Sequence, residues 1–322
     1  MAHELATMVD GRTAMAFIGD RSQIWHGLGQ ELTPDSPLDV WATEAGFDWT
    51  IQESPVTFNT PDAQGIHFPG KQVLYRSDTK APLSVVSMDY KIVQPAEVLE
   101  FFADLVGVGG MTLSTAGVLF DGKRFWAMAD TGKAGAIRGN DQIKGNLLLT
   151  TSCDGTLATN AMFTAVRTVC NNTLRLALES ENYGRVRVTH ARTFDPANIK
   201  DQLGLIDHSW EKFMHNVTKM EATKIDLAKA RSFVYNLVAK PNVAVEDQPY
   251  TTAAKVTDIL ARFQSGMGNQ GKTAWDLLNG ITEYVDHSTG KTRMLDRKLW
   301  NTWFGADATM KDKAYEGIME LV

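Results

Sequence analysis

Arg124, Arg167, Arg175, Arg185, Arg187 and Arg192 crowd one stretch of a 322-residue chain whose formal net charge is −6. Arginine stays charged at any physiological pH and presents a planar fork that suits phosphate and carboxylate groups. Residues 111–192 hold ten Lys and Arg against six Asp and Glu, whereas residues 1–110 hold six against 15. A basic island in an acidic protein is the expected footprint of an anion or nucleic-acid contact. The plainer reading is that these cations merely solvate strands. Phe125 and Trp126 adjoin Arg124, and rings beside cations suit stacking on unpaired bases. Arg167 shares a strand face with Phe163 and Val169; it faces an anion or pairs with a buried acid, and the spacing leaves both open.

Other residue types give weaker patterns. Cys153 sits beside a turn and Cys170 beside an expected helix start, where a thiolate is favoured. No His or Lys lies near either in sequence, so packing is the preferred reading. "GMGNQGKT" (266–273) has the spacing G-x-x-x-x-G-K-T of a phosphate-binding loop. That loop needs a buried strand before it, and "TTAAKVTDILARFQS" is an amphipathic helix instead. Thr273 with Asp276 fits a capping box for the helix that follows. His208, Glu211 and His215 share one helical face, and Glu283, Asp286 and His287 cluster near a helix end. Either could bind a metal, but a solvated polar face explains them as well, and no metal or cofactor is expected.

Elements must position these residues. "SPLDVWATEAGFDW" reads as a short helix ending at Gly46. "QVLYRSDTKAPLSVVSMDYKIV" (72–93) reads as two strands around a polar turn. Pro95 opens a helix whose apolar stripe is Val98, Phe101, Phe102 and Leu105, with Gly107 as its stop. "STAGVLFDGKRFWAMAD" (114–130) and "QIKGNLLLTTSCDGTLATNAMFTAVRTV" (142–169) each place Asp-Gly between apolar runs, a hairpin signal. "CNNTLRLALES" is expected to turn helical with Asn171 or Asn172 as its cap. "GRVRVTHAR" (184–192) adds a strand with Arg185, Arg187 and Thr189 on one side.

From residue 195 the period changes. Ile206, Trp210, Phe213, Val217 and Met220 step at helical spacing. Further helices are expected near 226–238, 252–265, 274–286, 293–303 and 309–321, with a break at Pro241 and Pro249. The expected fold is therefore α+β. Residues 1–192 form an α+β domain on an antiparallel sheet with β-hairpins. Residues 193–322 form a helical region, packed on that sheet or making its own bundle.

"SCDGT", "TAVRTVCNNTL", "TAWDLLNGITEYVDH" and "WFG" with a later Lys resemble, in order, the phage and plasmid proteins grouped as domain-of-unknown-function family 932. The family pattern maps onto Asp154, Gly155, Arg167, Val169, Cys170, Asn172 and Thr173, with Thr168 in place of one Val. The resemblance implies a phage, prophage or plasmid origin and a place in the host cytoplasm. It brings no activity, cofactor or catalytic residue.

Two cysteines fit a reducing cytoplasm. No apolar run has the length of a membrane span, and the N-terminus lacks the plan of a signal peptide. The first expectation is a nucleic-acid-binding protein, in its specific form a homo-oligomer that binds or anneals single-stranded DNA. Its expected contacts are Arg124, Arg167, Arg175, Arg185, Arg187, Arg192 and Trp126. The alternative is a non-enzymatic interaction module acting on a host protein, in anti-defence or regulation. An enzyme ranks third, because no triad, metal set or carboxylate pair with catalytic spacing is present.

Overall fold

The computed structural model describes residues 6–19, 28–139, 141–157, 159–167, 172–175, 185–188, 205–288 and 295–322. From the N-terminus the chain forms β1 (Met15–Ile18), β2 (Gln30–Leu32), α1 (Leu38–Ala45), β3 (Ile51–Thr60), β4 (Ala63–Arg76), β5 (Pro82–Ser87) and α2 (Pro95–Val108). Strands β6 (Thr112–Leu119), β7 (Arg124–Ile137), β8 (Asp141–Ser152), β9 (Thr159–Arg167), β10 (Asn172–Arg175) and β11 (Arg185–Val188) follow. Helices α3 (Leu205–Ala222), α4 (Leu227–Val238), α5 (Tyr250–Ser265), α6 (Ala274–His287), α7 (Leu295–Phe304) and α8 (Ala306–Met319) end the chain.

The fold is α+β. The large sheet runs β10-β9-β8-β7-β6-β1-β2, with β11 also on β9. Its pairs are antiparallel except β1 with β2. A second sheet holds β3, β4 and β5. Strand alternation gives the large sheet two apolar faces. One carries Phe125, Leu147, Leu149 and Phe163, and joins Trp41 and Phe102 on one side and Phe213 and Ile281 on the other in a single buried cluster. The opposite face carries Met15, Leu119, Trp126, Leu148 and Met162 beneath Trp303 of α7. Each fully buried Phe or Leu contributes about 1.5–3 kcal/mol relative to exposure. Helices α1–α6 and α8 therefore share one core with the sheet, and α7 covers its opposite face. Trp210 of α3 meets Phe163 of β9 edge-on at 6.1 Å.

Local chemistry explains most boundaries. Gly46 ends α1 at φ 79°, a conformation that costs glycine nothing. Gln94 and Glu97 close a capping box at α2, with Pro95 in the first turn. Asp226 caps α4 by accepting from Lys229 N at 2.7 Å. Trp210, Phe213, Val217 and Met220 are buried as their spacing predicts.

Three expectations are corrected. Gly107 does not stop α2, which continues to Val108 with Gly109 at its C-cap. The Asp154-Gly155 connection is a six-residue loop rather than a tight turn, since β8 ends at Ser152 and β9 begins at Thr159. Asp154 Oδ1 holds it by accepting from Thr156 N at 2.9 Å and Thr156 Oγ1 at 2.6 Å, a side-chain mimic of a turn. Lastly, Asn172–Arg175 is strand β10, not the first turn of a capped helix. Pairing with the free edge of β9 satisfies this backbone and overrides its local preference.

Candidate functional site

The arginines separate into groups once the register is drawn. Strand β9 receives two strands end to end on one edge. β10 pairs with Thr164–Arg167, and β11 with Thr159–Met162. The register sets Arg175 opposite Thr164, Arg185 opposite Met162 and Arg187 opposite Asn160. These are alternate positions of β9, so the three arginines occupy one side of the sheet edge, with successive rows about 6.8 Å apart. Arg167 is set opposite Asn172 and takes the other side. Arg192 and Cys170 lie outside the described residues.

Arg124 belongs to the same side as Arg187, three strands inward. Its β7 position is opposite Ser152. The guanidinium carbon lies 3.7 Å from the centroid of Trp300 and 5.1 Å from that of Phe120. Its Nη2 donates to Thr156 Oγ1 at 3.2 Å. Burial pulls the Arg124 pKa down, and the nearby Asp154 opposes this. A partly desolvated guanidinium over an indole face is a favourable cation–π pair. Trp300 was not foreseen as its partner, although Trp300, Trp303 and Phe304 stand at helical spacing in "LWNTWF".

Trp126 cannot play the role expected of it. It is 3% exposed and packs on Trp303 with ring centroids 5.1 Å apart. Phe125 is buried on the opposite face. Both faces of β7 are covered, so neither ring is offered to a base. The half-buried aromatics beside Arg124 on this side are Trp300 and Phe120.

Several residues of the remaining patterns have partners within the protein. Cys153 Sγ donates to Gly122 O at 3.1 Å, and burial, aided by the charge of Asp154, pushes its thiol up to about 12. A thiol so placed is a poor nucleophile. In "GMGNQGKT" the helix N-terminus is already filled from within the protein. Asp276 Oδ2 accepts from Lys272 N at 2.9 Å and Thr273 N at 3.2 Å, while Thr273 Oγ1 accepts from Asp276 N at 3.2 Å. The expected capping box is present, and a carboxylate sits where a phosphate would have to bind.

Asp286 pairs with Lys311 at 2.8 Å, and Glu283 accepts from Met267 N at 3.1 Å. Glu211 and His215 are exposed. Among the described residues no group of three His, Cys, Asp or Glu is placed to hold a metal. Among those residues, too, no helix is long and apolar enough to cross a membrane.

A family model described as domain of unknown function (DUF932) matches residues 82–303. The chain belongs to the DUF932 family. No curated protein and no solved structure matches it. The DUF932 span runs from β5 to α7 and takes in every arginine discussed above. Within that span Arg167 and Asn172 are register partners across β9 and β10.

The same span holds an arginine that sequence reading missed. Arg138 lies in the β7–β8 turn at φ 48°. Its Nε donates to Glu221 Oε1 at 2.5 Å and its Nη1 to Asp276 Oδ1 at 2.8 Å. Nη2 reaches Glu221 Oε2 at 2.6 Å and Thr273 Oγ1 at 3.0 Å. Burial opposes the charge of Arg138, but these carboxylates outweigh it and raise its pKa. Burial likewise pushes Asp276 up, yet bonds from Arg138 and from Lys272 N hold it below the usual carboxylate value. Arg138 thus ties the sheet to the N-terminus of α6, and its charge is spent inside the protein.

Proposed function

We propose that this DUF932 protein binds single-stranded nucleic acid along the β9 edge. As a phage- or plasmid-type protein in the host cytoplasm, it would bind or anneal single-stranded DNA as a homo-oligomer. The observation that carries the reading is the register that sets Arg175, Arg185 and Arg187 at alternate positions on one side of that edge. Three arginine positions at a strand's two-residue repeat can follow a phosphate backbone. Arg124, held against Trp300 three strands inward, extends the row toward an aromatic surface. The excess of ten cations over six acids in residues 111–192 supports the same direction. Arg138 does not contribute, being neutralised by Glu221 and Asp276.

The test is anisotropy of a labelled oligothymidylate titrated with the full-length protein across a range of potassium chloride. Three phosphate contacts on a single strand give a log–log salt slope of about −2. Replacing Arg185 and Arg187 together by Ala should make that slope shallower by about 1.4. A wild-type protein that shows no binding at low salt removes the reading.

A further inference from the structure

A cavity of about 450 Å³ lies beside the C-terminal end of α4. The segment between α4 and α5 supplies much of its wall, and α8 supplies Lys313. The wall is held in place by its own bonds. Gln248 Oε1 accepts from Lys240 N at 2.8 Å, and Gln248 Nε2 donates to Lys240 O at 2.9 Å and to Val243 O at 3.0 Å. One side-chain amide thus ties both ends of the loop together. Asn242 turns the chain at φ 61°, next to Pro241, whose ring fixes its own φ. Ala239 N donates to Tyr235 O at 2.8 Å where α4 ends. The volume of about 450 Å³ falls within the range of about 300–1,000 Å³ that small-molecule sites occupy, and such sites are largely formed in advance.

The lining has two characters. Leu237, Ala239, Pro241, Val243 and Val245 make it apolar. Val243 is 36% and Val245 71% exposed, so this apolar surface is left open. Lys240 and Lys313 make the lining cationic, and both are exposed. Among the described residues no Asp or Glu lines the cavity. The acids of the same loop, Glu246 and Asp247, are exposed and lie outside the lining. This balance is the reverse of the whole chain, whose net charge is −6. Tyr235 lines the cavity too, and its hydroxyl is buried with no hydrogen-bond partner among the described residues. Buried polar groups are ordinarily paired, so the wall also keeps one unmet polar group.

We infer that this cavity binds a small organic carboxylate, with its aliphatic body on the apolar wall and its charge held by Lys240 and Lys313. Two cations and no acid select an anion. Lysine is a flexible point charge that accepts many anion geometries, so the apolar wall must select the rest of the ligand. Inorganic phosphate would satisfy the lysines and leave Leu237, Val243 and Val245 uncovered. A nucleic-acid strand is held by cations repeated along its backbone, and two lysines at one cavity do not make such a track.

The inference goes beyond the proposed function and does not use the arginine edge. Octanoate is the probe, and octanol and inorganic phosphate are the counterparts that lack its charge and its chain. Saturation-transfer NMR with the full chain should show octanoate binding that saturates within about 10 mM, since so small a ligand binds weakly. Octanol should bind about tenfold more weakly, the loss expected from two partly exposed charge contacts. Equimolar phosphate or oligothymidylate should leave the octanoate signal in place. Lys240→Gln with Lys313→Gln should weaken octanoate about tenfold and leave octanol unchanged. Val243→Asp, which puts a negative charge into the apolar wall, should weaken octanoate as well, and decides the matter if the lysine variant fails to fold. All three positions are exposed, so the thermal melt without ligand should not move. No octanoate binding, equal binding of octanol, displacement by phosphate or oligothymidylate, or binding that survives both variants overturns the inference.

Discussion

Two long hairpins of this protein meet opposite fates. The β7–β8 ribbon ends in Arg138 and Gly139, both at positive φ, and Arg138 ties its tip to Glu221 of α3 and Asp276 of α6. The β3–β4 ribbon ends in Asn59–Gly65, and its tip stands in solvent. Both turns use residues at positive φ, so turn chemistry does not separate them. What separates them is the end group. Arg138 carries a cation that two carboxylates and a hydroxyl enclose, and Ile137 beside it is buried. The other tip carries a single acid and side chains that gain little from burial. A hairpin tip docks against the rest of the protein through what its side chains can satisfy there, not through its length.

Removing Arg138 is the most damaging way to break that contrast. Arg138→Ala leaves the fully buried Asp276 without its cation, a loss of about 3–5 kcal/mol, to be read from urea unfolding. Next comes crowding. Gly135 lies against Met214, whose Sδ would be 2.8 Å from an added Cβ. Gly135→Val should cost about 1–3 kcal/mol, tempered by the flexibility of methionine, and is measured the same way.

Acid sharpens the contrast further. Asp276 has a folded pKa below its unfolded one. Its contribution is complete above the ordinary carboxylate pKa and is lost as pH falls through the folded value. Urea midpoints from pH 7 to pH 3 should therefore fall less steeply in Asp276→Asn than in the wild type.

Cys153, at the far end of β8, gives a chemical readout of the same packing. With its thiol at about 12, it should resist a disulfide reagent at pH 8 and react once the chain is unfolded. The smallest effect is expected on the β3–β4 ribbon. Phe58→Ser with Phe68→Ser should shift the stability of a single chain by no more than about 0.5 kcal/mol, checked by urea unfolding at a concentration too low for association.

Much of the fold was legible because its signals are local. The stripe Trp210, Phe213, Val217 and Met220 is a helix face, and Thr273 with Asp276 is a cap, whatever else the chain does. The strand β10 was misread because Asn172 looks like a cap in isolation, whereas its backbone is claimed by β9. Trp126 was misassigned because strand alternation shows that it lies on a face, not whether that face is covered. Trp303, which covers it, comes from a helix far along the chain.

The sequence by itself determined where helices and strands alternate, the basic character of residues 111–192 and the family pattern around Asp154 and Arg167. Only the tertiary structure decided that Arg138 is neutralised within the protein. Arg138 and the β9-edge arginines are one residue type in one basic island, yet the partners of Arg138 lie 83 and 138 residues away in sequence. A charge is neutralised by what is near it in space, and folding brings together acids that no sequence window contains.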